Sequence, residues 1–325
     1  MRTIRLANLN AYKLSRSAID TPSWQARVTA IKEIEPDILA LQEVIVDEKA
    51  APSAWATEAS TIIQQLAAEC GLSATTVRAD KSPGPTAMAN NANRGWYTAL
   101  LWNPEAVTPV PGRFRPYGAP DFWHGFTTAQ FDVGAAEPIT VASYHGDPFR
   151  GDWRANEALR LKSAFRTTGG AKPGFALGDF NALSAAKITG PDGGEPQYYD
   201  KEPYLTQDHD DLEYQLLPGT IGGEQLADRR QSEALLRRGF MVDAAAHLGV
   251  KWHPTVGHWE DGRGDPDPWG PRRIDLVLAT RPVAPALVSY RTHKSPAAEK
   301  ASDHLPVVCE FAPSKIDTTN LRTYR

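Results

Sequence analysis

The sequence predicts an α+β protein in which largely antiparallel sheets are flanked by helices. Three observations predict this class. Short apolar runs of strand length outnumber the helical patterns, and many of them are hairpin-like neighbours along the chain. The chain holds 25 glycines and 26 prolines in 325 residues, which implies many turns and ordered loops. No fixed-period repeat and no linker divides it, and its length suffices to bury a large core.

The N-terminal segment predicts a strand, a helix and a second strand. Apolar residues alternate over Thr3–Leu9, which is the spacing of a half-buried strand. Thr21-Pro22 is a helix-start signal because proline fits the first helical turn, and Pro36 ends that helix. The apolar run Asp37–Leu41 then predicts a buried strand that ends at Gln42-Glu43.

The rest of the chain predicts three more helices among several strands. A second helix begins at Pro52 and ends near Gly71, because glycine is typical of helix C-terminal caps. A third covers about Asp152–Arg166 and a fourth about Ala227–Arg238. The predicted core positions of the third helix are Ala155, Leu159 and Phe165. The remaining predicted strands are Trp96–Trp102, Thr127–Val133, Ile139–His145, Phe175–Leu177, Ile274–Ala279, Ala286–Tyr290 and Leu305–Phe311.

Two segments differ in composition from the rest and predict long loops, where recognition usually lies. Ser184–Leu226 carries nine acidic residues against two lysines, a net charge of −7 within a chain of net charge −4. Trp252–Pro271 is dense in glycine, proline, aspartate and tryptophan. We therefore expect one domain over residues 1–312, with recognition loops at 184–226 and 252–271, and a polar tail over residues 313–325.

Composition excludes several classes of protein. No run of about 18 apolar residues occurs, which argues against a membrane span, and the N-terminal apolar stretch is too short and polar for a secretory signal. Cys70 and Cys309 are the only cysteines, so we expect no disulfide framework, no cysteine-rich zinc module and a cytoplasmic location. The negative net charge disfavours binding of long duplex DNA by bulk charge alone.

Polar side chains recur where the predicted strands begin or end. They are Asn8, Asn10, Glu43, His145, Asp179, Asn181, Asp275, Asp303 and His304. Carboxylate and amide oxygens are hard ligands, which suit Mg²⁺ or Mn²⁺. An aspartate or asparagine can align a water molecule, and a histidine can hold phosphoryl oxygens or transfer a proton. This set of side chains indicates metal-dependent hydrolysis of a phosphoester.

The same residues lie in short motifs that follow one another along the chain. The motifs are Ala7-Asn8-Leu9-Asn10, Leu41-Gln42-Glu43-Val44, Ser143-Tyr144-His145, Gly178-Asp179-Phe180-Asn181, Arg273-Ile274-Asp275 and Ser302-Asp303-His304-Leu305-Pro306-Val307. The ordered set resembles the endonuclease/exonuclease/phosphatase superfamily over residues 3–311. This resemblance implies a four-layer α/β/β/α sandwich with its site at one edge of two mainly antiparallel sheets. It also implies a Mg²⁺-dependent phosphoesterase, with Mn²⁺ as an alternative ion.

The resemblance implies the contacts to metal and phosphate. Glu43 is expected to be the main metal ligand, with Asn10 and Asp303 near the same ion. Asn8 and Asn181 are expected to donate hydrogen bonds to the scissile phosphate. Asparagine at position 10 departs from the aspartate that abasic-site enzymes tend to carry, so a ligand there would be weaker or water-mediated.

The resemblance also implies the groups that act in the reaction. Asp179 would orient or deprotonate the attacking water. His304, steadied by Asp275, would bind the phosphate and stabilise the transition state. His145 matches a position that assists the leaving group, and Arg154 lies in an arginine-rich helix start, as in members that present an arginine near the phosphate.

Each of these residues also has a structural interpretation. The asparagines and Asp179 could satisfy turn backbone, and Asp275 could form an ordinary ion pair with Arg272 or Arg273. Three histidines lie close together in sequence, but no cysteine or glutamate completes a familiar zinc spacing; they are His247, His253 and His258. Three tryptophans could stack on a base or pack a loop; they are Trp252, Trp259 and Trp269.

The sequence therefore predicts a divalent-metal-dependent phosphodiesterase or nuclease that cleaves nucleic acid, as an endonuclease or an exonuclease, through in-line attack of an activated water. One alternative is a phosphatase or phosphodiesterase for a small phosphorylated metabolite or a lipid head group, since the acidic segment Ser184–Leu226 would repel a long phosphate backbone. A second alternative is a non-catalytic binding module that keeps the fold. The sequence indicates no particular protein partner.

Overall fold

Two β-sheets packed face to face form the centre of the computed structural model, which describes residues 2–190, 193–202, 210–217, 225–259 and 270–322. Trp269 and parts of both predicted recognition loops lie outside the described residues. The helices are α1 (Pro22–Ile34), α2 (Pro52–Glu69), α3 (Gly151–Ala164), α4 (Arg230–Leu236), α5 (Ala244–His247) and α6 (Pro296–Ala301). Short 3-10 helices lie at Arg16–Ala18, Asp210–Gln215, Arg237–Gly239, Ala284–Ala286 and Pro313–Lys315.

The strands vary from two to eleven residues in length. They are β1 (Ile4–Leu14), β2 (Ile38–Ile45), β3 (Thr75–Val77), β4 (Pro83–Thr86), β5 (Met88–Asn90), β6 (Trp96–Trp102), β7 (Thr108–Pro109), β8 (Arg115–Tyr117), β9 (Phe126–Asp132), β10 (Ile139–His145), β11 (Arg166–Thr167), β12 (Gly170–Ala171), β13 (Gly174–Asp179), β14 (Lys187–Ile188), β15 (Gln197–Tyr198), β16 (Met241–Asp243), β17 (Asp275–Thr280), β18 (Leu287–Thr292) and β19 (Val307–Phe311).

Each main sheet contains one parallel pair of strands near its middle. The first sheet has the order β18-β19-β1-β2-β6-β5, in which β1 and β2 are parallel. The second has the order β16-β17-β13-β10-β9-β7, with β8 also paired to β9, and β10 and β13 are parallel. The other neighbouring pairs among the described strands are antiparallel, as predicted. Small hairpins join β3 to β4, β11 to β12 and β14 to β15.

Alternation along the strands produces the layers. In β1, Ile4 and Leu6 enter the core between the two sheets, whereas Ala7 and Leu9 point outward to α1 and α2. The second sheet alternates in the same way. Phe175 and Leu177 of β13 face the first sheet, and the opposite face of the second sheet packs against α3 and α4. Successive side chains of a strand point to opposite faces, so both sheets are covered on both sides. The layers therefore follow the predicted α/β/β/α order.

The predicted elements match the structure closely where the apolar pattern is long. The predicted bounds of β6 and β10 coincide with the observed ones, and α1 begins at Pro22 with the Thr21 hydroxyl accepting from the Trp24 backbone N–H at 3.3 Å. The prediction for α3 is wrong at Leu159, which is 58% exposed. Ala158, not Leu159, lies in the apolar cluster under this helix, because the helix is rotated from the predicted phase. None of the helices in the described part of the chain is long and apolar enough to cross a membrane.

Candidate active site

The inner faces of the two sheets change from apolar to polar at one edge of the sandwich. In β1, Asn8 and Asn10 continue the face on which Ile4 and Leu6 are buried. The same alternation places the inner side chains of β2, β10, β13 and β17 at this edge, where they are Gln42, Ser143, His145, Asp179 and Asp275. Strand register sets His145 opposite Asp179, and Asp179 opposite Asp275. The fold therefore brings these polar groups together between the sheets.

Asn10 links the carboxylates of the two sheets. Its Nδ2 donates to Glu43 Oε1 at 3.1 Å and to Asp179 Oδ2 at 3.0 Å. Its Oδ1 accepts from the Tyr12 backbone N–H at 3.1 Å. Because the amide nitrogen faces the carboxylates, the amide oxygen that would bind a cation is held by the backbone. A metal-ligand role for Asn10 stays a prediction.

Glu43 is held at an irregular point of β2. Its φ is +58°, a left-handed conformation, and the pairing of β2 with β6 shifts register between Leu41 and Val44. This bulge turns Glu43 toward the site edge, where its Oε2 accepts from the Lys13 backbone N–H at 2.9 Å. Burial raises the pKa of the Glu43 carboxyl, and the nearby charge of Asp179 raises it further.

His304 is held between two aspartates. Its Nδ1 lies 2.8 Å from Asp275 Oδ2, and its Nε2 lies 3.8 Å from Asp179 Oδ2. Burial acts to lower the pKa of His304, but the surrounding carboxylates, led by Asp275, outweigh burial and hold the pKa well above its ordinary value. These carboxylates therefore favour the imidazolium form of His304. The Ser302 hydroxyl supports this turn, donating to the Asn10 carbonyl at 2.6 Å and accepting from the His304 N–H at 3.0 Å.

A buried amide network fixes Asp275. Asn8 Nδ2 donates to Asp275 Oδ1 at 3.2 Å, and Gln42 Nε2 donates to Asn8 Oδ1 at 2.8 Å and to Ser143 Oγ at 2.9 Å. The interpretation of Asp275 as an ordinary ion pair with Arg273 is wrong, because Arg273 binds two other aspartates; these are Asp200 and Asp243. A phosphate-binding role for Asn8 stays a prediction.

The site also contains support residues that the sequence analysis did not assign. Gln42 and Ser143 lie within the recognised motifs, and their position on the inner strand faces is the signal that could have found them. Thr255 Oγ1 accepts from the Ile274 and Asp275 backbone N–H groups at 3.2 Å each. No motif or spacing in the sequence predicts this role for Thr255.

His145, at the end of β10, lies beside Asp179 at the end of β13. Its Nε2 is 3.5 Å from Asp179 Oδ2. Burial lowers the pKa of His145 to about 4, so its ring is neutral where His304 is charged. Two histidines with opposite protonation states beside one carboxylate suit different roles in one reaction.

Asp179 and Asn181 form a tight turn at the end of β13. The Asn181 backbone N–H donates to Asp179 Oδ1 at 2.8 Å, and Asn181 Nδ2 donates to the Gly146 carbonyl at 3.1 Å. Asn181 has φ +49° and is buried. Both oxygens of Asp179 thus accept hydrogen bonds, which fixes the carboxylate plane. A phosphate contact by Asn181 stays a prediction.

The comparison with known families decides the identity of the chain. The model of the Endonuclease/Exonuclease/phosphatase family matches residues 28–304. The chain belongs to this family. It is therefore a hydrolase of the endonuclease/exonuclease/phosphatase superfamily, whose members are typically phosphoesterases. No curated protein sequence matches the chain.

Solved structures of this family share the fold at low sequence identity. An AP endonuclease from Archaeoglobus fulgidus is 19% identical, with a TM-score of 0.53 over 95% of this chain and 99% of that chain. D. rerio TDP2, complexed with single strand DNA product, is 12% identical, with a TM-score of 0.54 over 96% and 100%. The Bacteroides thetaiotaomicron mannosyl-6-phosphatase Bt3783 is 14% identical, with a TM-score of 0.52 over 95% and 99%. At these identities the likeness concerns the fold.

Arg154, which the family resemblance places near the phosphate, makes its hydrogen bonds outside the network of the other site residues. Arg154 is 1% exposed, and its guanidinium donates to the backbone carbonyls of Asp147, at 2.9 Å, and Tyr214. These bonds occupy donors that would otherwise be available to a substrate. The contacts support a structural role, and a phosphate contact by Arg154 stays a prediction.

One of the three clustered histidines and two of the three tryptophans have partners within the protein. His258 Nε2 lies 3.1 Å from the Ser302 carbonyl oxygen, and no group of three potential zinc ligands occurs among the described residues. The indole N–H of Trp252 donates to Asp200 Oδ1 at 3.0 Å, and that of Trp259 donates to the Glu299 carbonyl at 2.6 Å. Both tryptophans thus bind the protein itself, as the packing interpretation predicts.

The donors at this edge nevertheless fit a hard divalent cation. Within the described ranges no group of three or more histidine, cysteine, aspartate or glutamate side chains is placed to hold a metal ion, so the protein would supply few ligands here. Burial raises the pKa of both Glu43 and Asp303, and the charge of Glu43 raises that of Asp303 further. A cation beside these carboxylates would relieve the cost of burial and their mutual repulsion. Mg²⁺ commonly binds one or two carboxylates and keeps several waters, so an open site suits it.

Proposed function

We propose that the protein is a divalent-metal-dependent phosphodiesterase that cleaves nucleic acid by in-line attack of an activated water. The observation that supports this most is the surroundings of Asp179 Oδ2. It accepts from Asn10 Nδ2 at 3.0 Å and lies 3.5 Å from His145 Nε2 and 3.8 Å from His304 Nε2. One fixed carboxylate between a neutral and a charged imidazole suits a group that handles water beside a phosphate.

Asp179 would position the attacking water and accept its proton. Its two oxygens are fixed by Asn10 Nδ2 and by the Asn181 backbone N–H, and lone pairs remain free to accept a water proton. Because the carboxylate is already oriented, little reorganisation is needed when the water attacks.

His304 would bind the phosphoryl oxygens. The negative charge of Asp275 keeps His304 protonated, and the Gln42–Asn8 network holds Asp275 in place. An imidazolium at this position would stabilise the additional negative charge of the pentacovalent transition state. Asn8, Asn181 and Arg154 are kept in this proposal as phosphate contacts.

Glu43 and Asp303 would hold the metal, Mg²⁺ or Mn²⁺, with Asn10 near the same ion. When bound, such an ion polarises the phosphoryl oxygen and neutralises its charge. His145 would act at the leaving-group side. Its lowered pKa makes the ring neutral, so it can donate a hydrogen bond from its N–H to the leaving oxygen without adding a positive charge.

The test compares Glu43→Ala and His304→Ala with the wild type on an aryl phosphodiester and on DNA, with Mg²⁺ and with EDTA. We expect each variant to lose at least ~10²-fold in kcat, the scale of removing one preorganised electrostatic group. Glu105→Ala and His293→Ala are matched controls, because Glu105 is exposed and the His293 side chain pairs with Glu33 rather than with the site network. Wild-type rates in both site variants would refute the proposal.

A small phosphorylated metabolite or a lipid head group is the second candidate substrate. The net charge of −7 over Ser184–Leu226 favours it, and the fold also occurs in a mannosyl-6-phosphatase. Substrate binding that weakens steeply with salt would favour nucleic acid, whereas weak salt dependence would favour a small substrate. Metal-independent ligand binding without turnover would instead support a non-catalytic module. We keep the single domain over residues 1–312 and the cytoplasmic location as proposals.

A further inference from the structure

The most exposed large apolar side chain of the described residues lies four positions after His145. Phe149 is 63% exposed. Its backbone is fixed, because the buried Asp147 side chain accepts from the Phe149 N–H at 2.8 Å and from the Arg150 N–H at 3.1 Å. A rigid turn thus holds an aromatic ring in water beside the candidate active site, although such exposure is unfavourable unless something covers the ring.

Phe149 is the outer end of a stack of aromatic rings and guanidinium groups. Its ring lies 5.8 Å from that of Trp123, at 82°. The Arg94 guanidinium lies 3.6 Å from the Trp123 ring centroid, and the Arg150 guanidinium lies 4.5 Å from Trp123 and 4.4 Å from Trp153. We call these five residues the aromatic–arginine surface. Cation–π contacts of this kind keep the rings and the charges in fixed positions.

His124 joins the aromatic–arginine surface to the active site. It follows Trp123 in the chain and stacks on His145 with ring centroids 3.9 Å apart and an interplanar angle of 12°. His124 is 5% exposed, and neither of its ring nitrogens has a hydrogen-bond partner among the described residues. The buried indole N–H groups of Trp123 and Trp153 also lack partners within the described ranges. Unpartnered buried donors of this kind are unusual and point to a ligand or a water.

The charges on this surface differ in their availability. Arg150 is neutralised by Asp147, whose Oδ2 lies 2.8 Å from Nε and 2.6 Å from the terminal nitrogen Nη2. Arg94 has no carboxylate within 4.0 Å among the described residues. The Arg94 guanidinium, one aromatic ring away from Phe149, is therefore not engaged in an ion pair within the described residues.

We infer that the aromatic–arginine surface binds an unpaired nucleotide next to the scissile phosphate, with its base stacked on Phe149 and a flanking phosphate at Arg94. This inference rests on the proposed function. Aromatic rings stack on any base face, and an adjacent cation attracts the backbone. Stacking on a side chain requires a base that is not already stacked in a duplex. The aromatic–arginine surface would therefore bind single-stranded nucleic acid, or the unpaired nucleotides of a larger substrate.

The test measures binding rather than turnover, so a negative result here can be distinguished from a negative result in the hydrolysis assay. Fluorescence anisotropy in EDTA gives the Kd of a labelled single-stranded hexanucleotide for the wild type, Phe149→Ala and Arg94→Gln. The matched controls are Leu159→Ala, an apolar residue of α3 with similar exposure, and Arg78→Gln, an exposed arginine. The same measurements are made on hexanucleotides that carry one abasic nucleotide at each position in turn, and on a duplex.

We expect Phe149→Ala to raise the Kd of the hexanucleotide about 5- to 150-fold, which corresponds to a stacking free energy of ~1–3 kcal/mol. One abasic position should cause the same loss in the wild type, with no further loss in Phe149→Ala. Arg94→Gln should reduce the slope of log Kd against log salt by about 0.7, the value for one phosphate contact on a single strand. The duplex should bind less tightly than the single strand.

The inference is overturned by any of three results. Phe149→Ala binds like Leu159→Ala; the loss in Phe149→Ala is independent of every abasic position; or the wild type does not bind the hexanucleotide. If EDTA-treated protein binds as expected but Mg²⁺ produces no hydrolysis, the surface is supported and the proposed reaction is wrong.

Discussion

Glu157 allows a quantitative test of how buried polar groups behind the site set the stability of the fold. It lies on α3 and is fully buried. Its Oε1 accepts from the Trp123 backbone N–H at 2.7 Å, and its Oε2 accepts from the Tyr144 hydroxyl and from the Asp147 N–H at 3.2 Å. Burial raises the pKa of Glu157 to about 7 in spite of these donors.

The raised pKa fixes the sign of the pH dependence. An unperturbed glutamate titrates at 4.5, so between 4.5 and about 7 the folded protein holds a proton that the unfolded chain releases. The stability contributed by this proton is fully present below 4.5 and is lost as pH rises to about 7. A difference of ~2.5 pH units, at ~1.4 kcal/mol per unit, gives a loss of about 3 kcal/mol in the free energy of unfolding.

Glu157→Gln removes this titration. Urea unfolding of both proteins at pH 4 and pH 8 gives the difference in their free energies of unfolding, in which the titration of all other groups cancels. From pH 4 to pH 8 the variant should become ~3 kcal/mol more stable relative to the wild type. The glutamine Nε2 would face the Asp147 N–H and cost about 1 kcal/mol at both pH values. The reasoning is refuted if the difference is equal at pH 4 and pH 8, or if exposed Glu105→Gln shows the same movement.

Two further predictions concern charge at and behind the site. Arg273→Met should reduce the free energy of unfolding, measured in urea, by about 3–5 kcal/mol, because it leaves two buried aspartates without their ion-pair partner. The control Arg160→Met, which removes an exposed ion pair, should reduce it by less than ~1 kcal/mol. Asn10→Asp would replace a hydrogen-bond donor by a third carboxylate beside Glu43 and Asp179. Without Mg²⁺ the Tm of the variant should therefore be lower than that of the wild type, because the carboxylates repel one another. Adding Mg²⁺ should raise the Tm of the variant by more than it raises that of the wild type. Equal Mg²⁺ responses in thermal unfolding would contradict the second prediction.

The fold was predictable wherever an apolar pattern exceeded about five residues. β6 and β10 have their predicted bounds because each is a continuous run of mostly apolar residues that is almost entirely buried. Strands such as β7 and β14 contain two residues each, so their sequences carry no period. Leu159 shows a different failure: helical spacing allowed two phases, and only packing against the second sheet selects the phase that buries Ala158.

The members of the candidate site were predictable, but their electrostatics were not. Ordered motifs identified Glu43, Asp179 and His304, which lie at one edge through the network of Asn10. The opposite charge states of the two site histidines depend on burial and on distances to carboxylates, which no sequence spacing gives. Arg154 could not be placed either, because the carbonyls that bind its guanidinium come from segments distant in sequence.

The hydrogen bond from Asn10 to Asp179 joins the two sheets, and this has a consequence for the newly made chain. Asn10 belongs to the first sheet and Asp179 to the second, while His304 enters just before β19, the strand that pairs with β1. Neither half of the chain contains all of the candidate site residues. During synthesis the candidate site therefore assembles only after the segment that carries His304 has emerged from the ribosome and β19 has paired with β1.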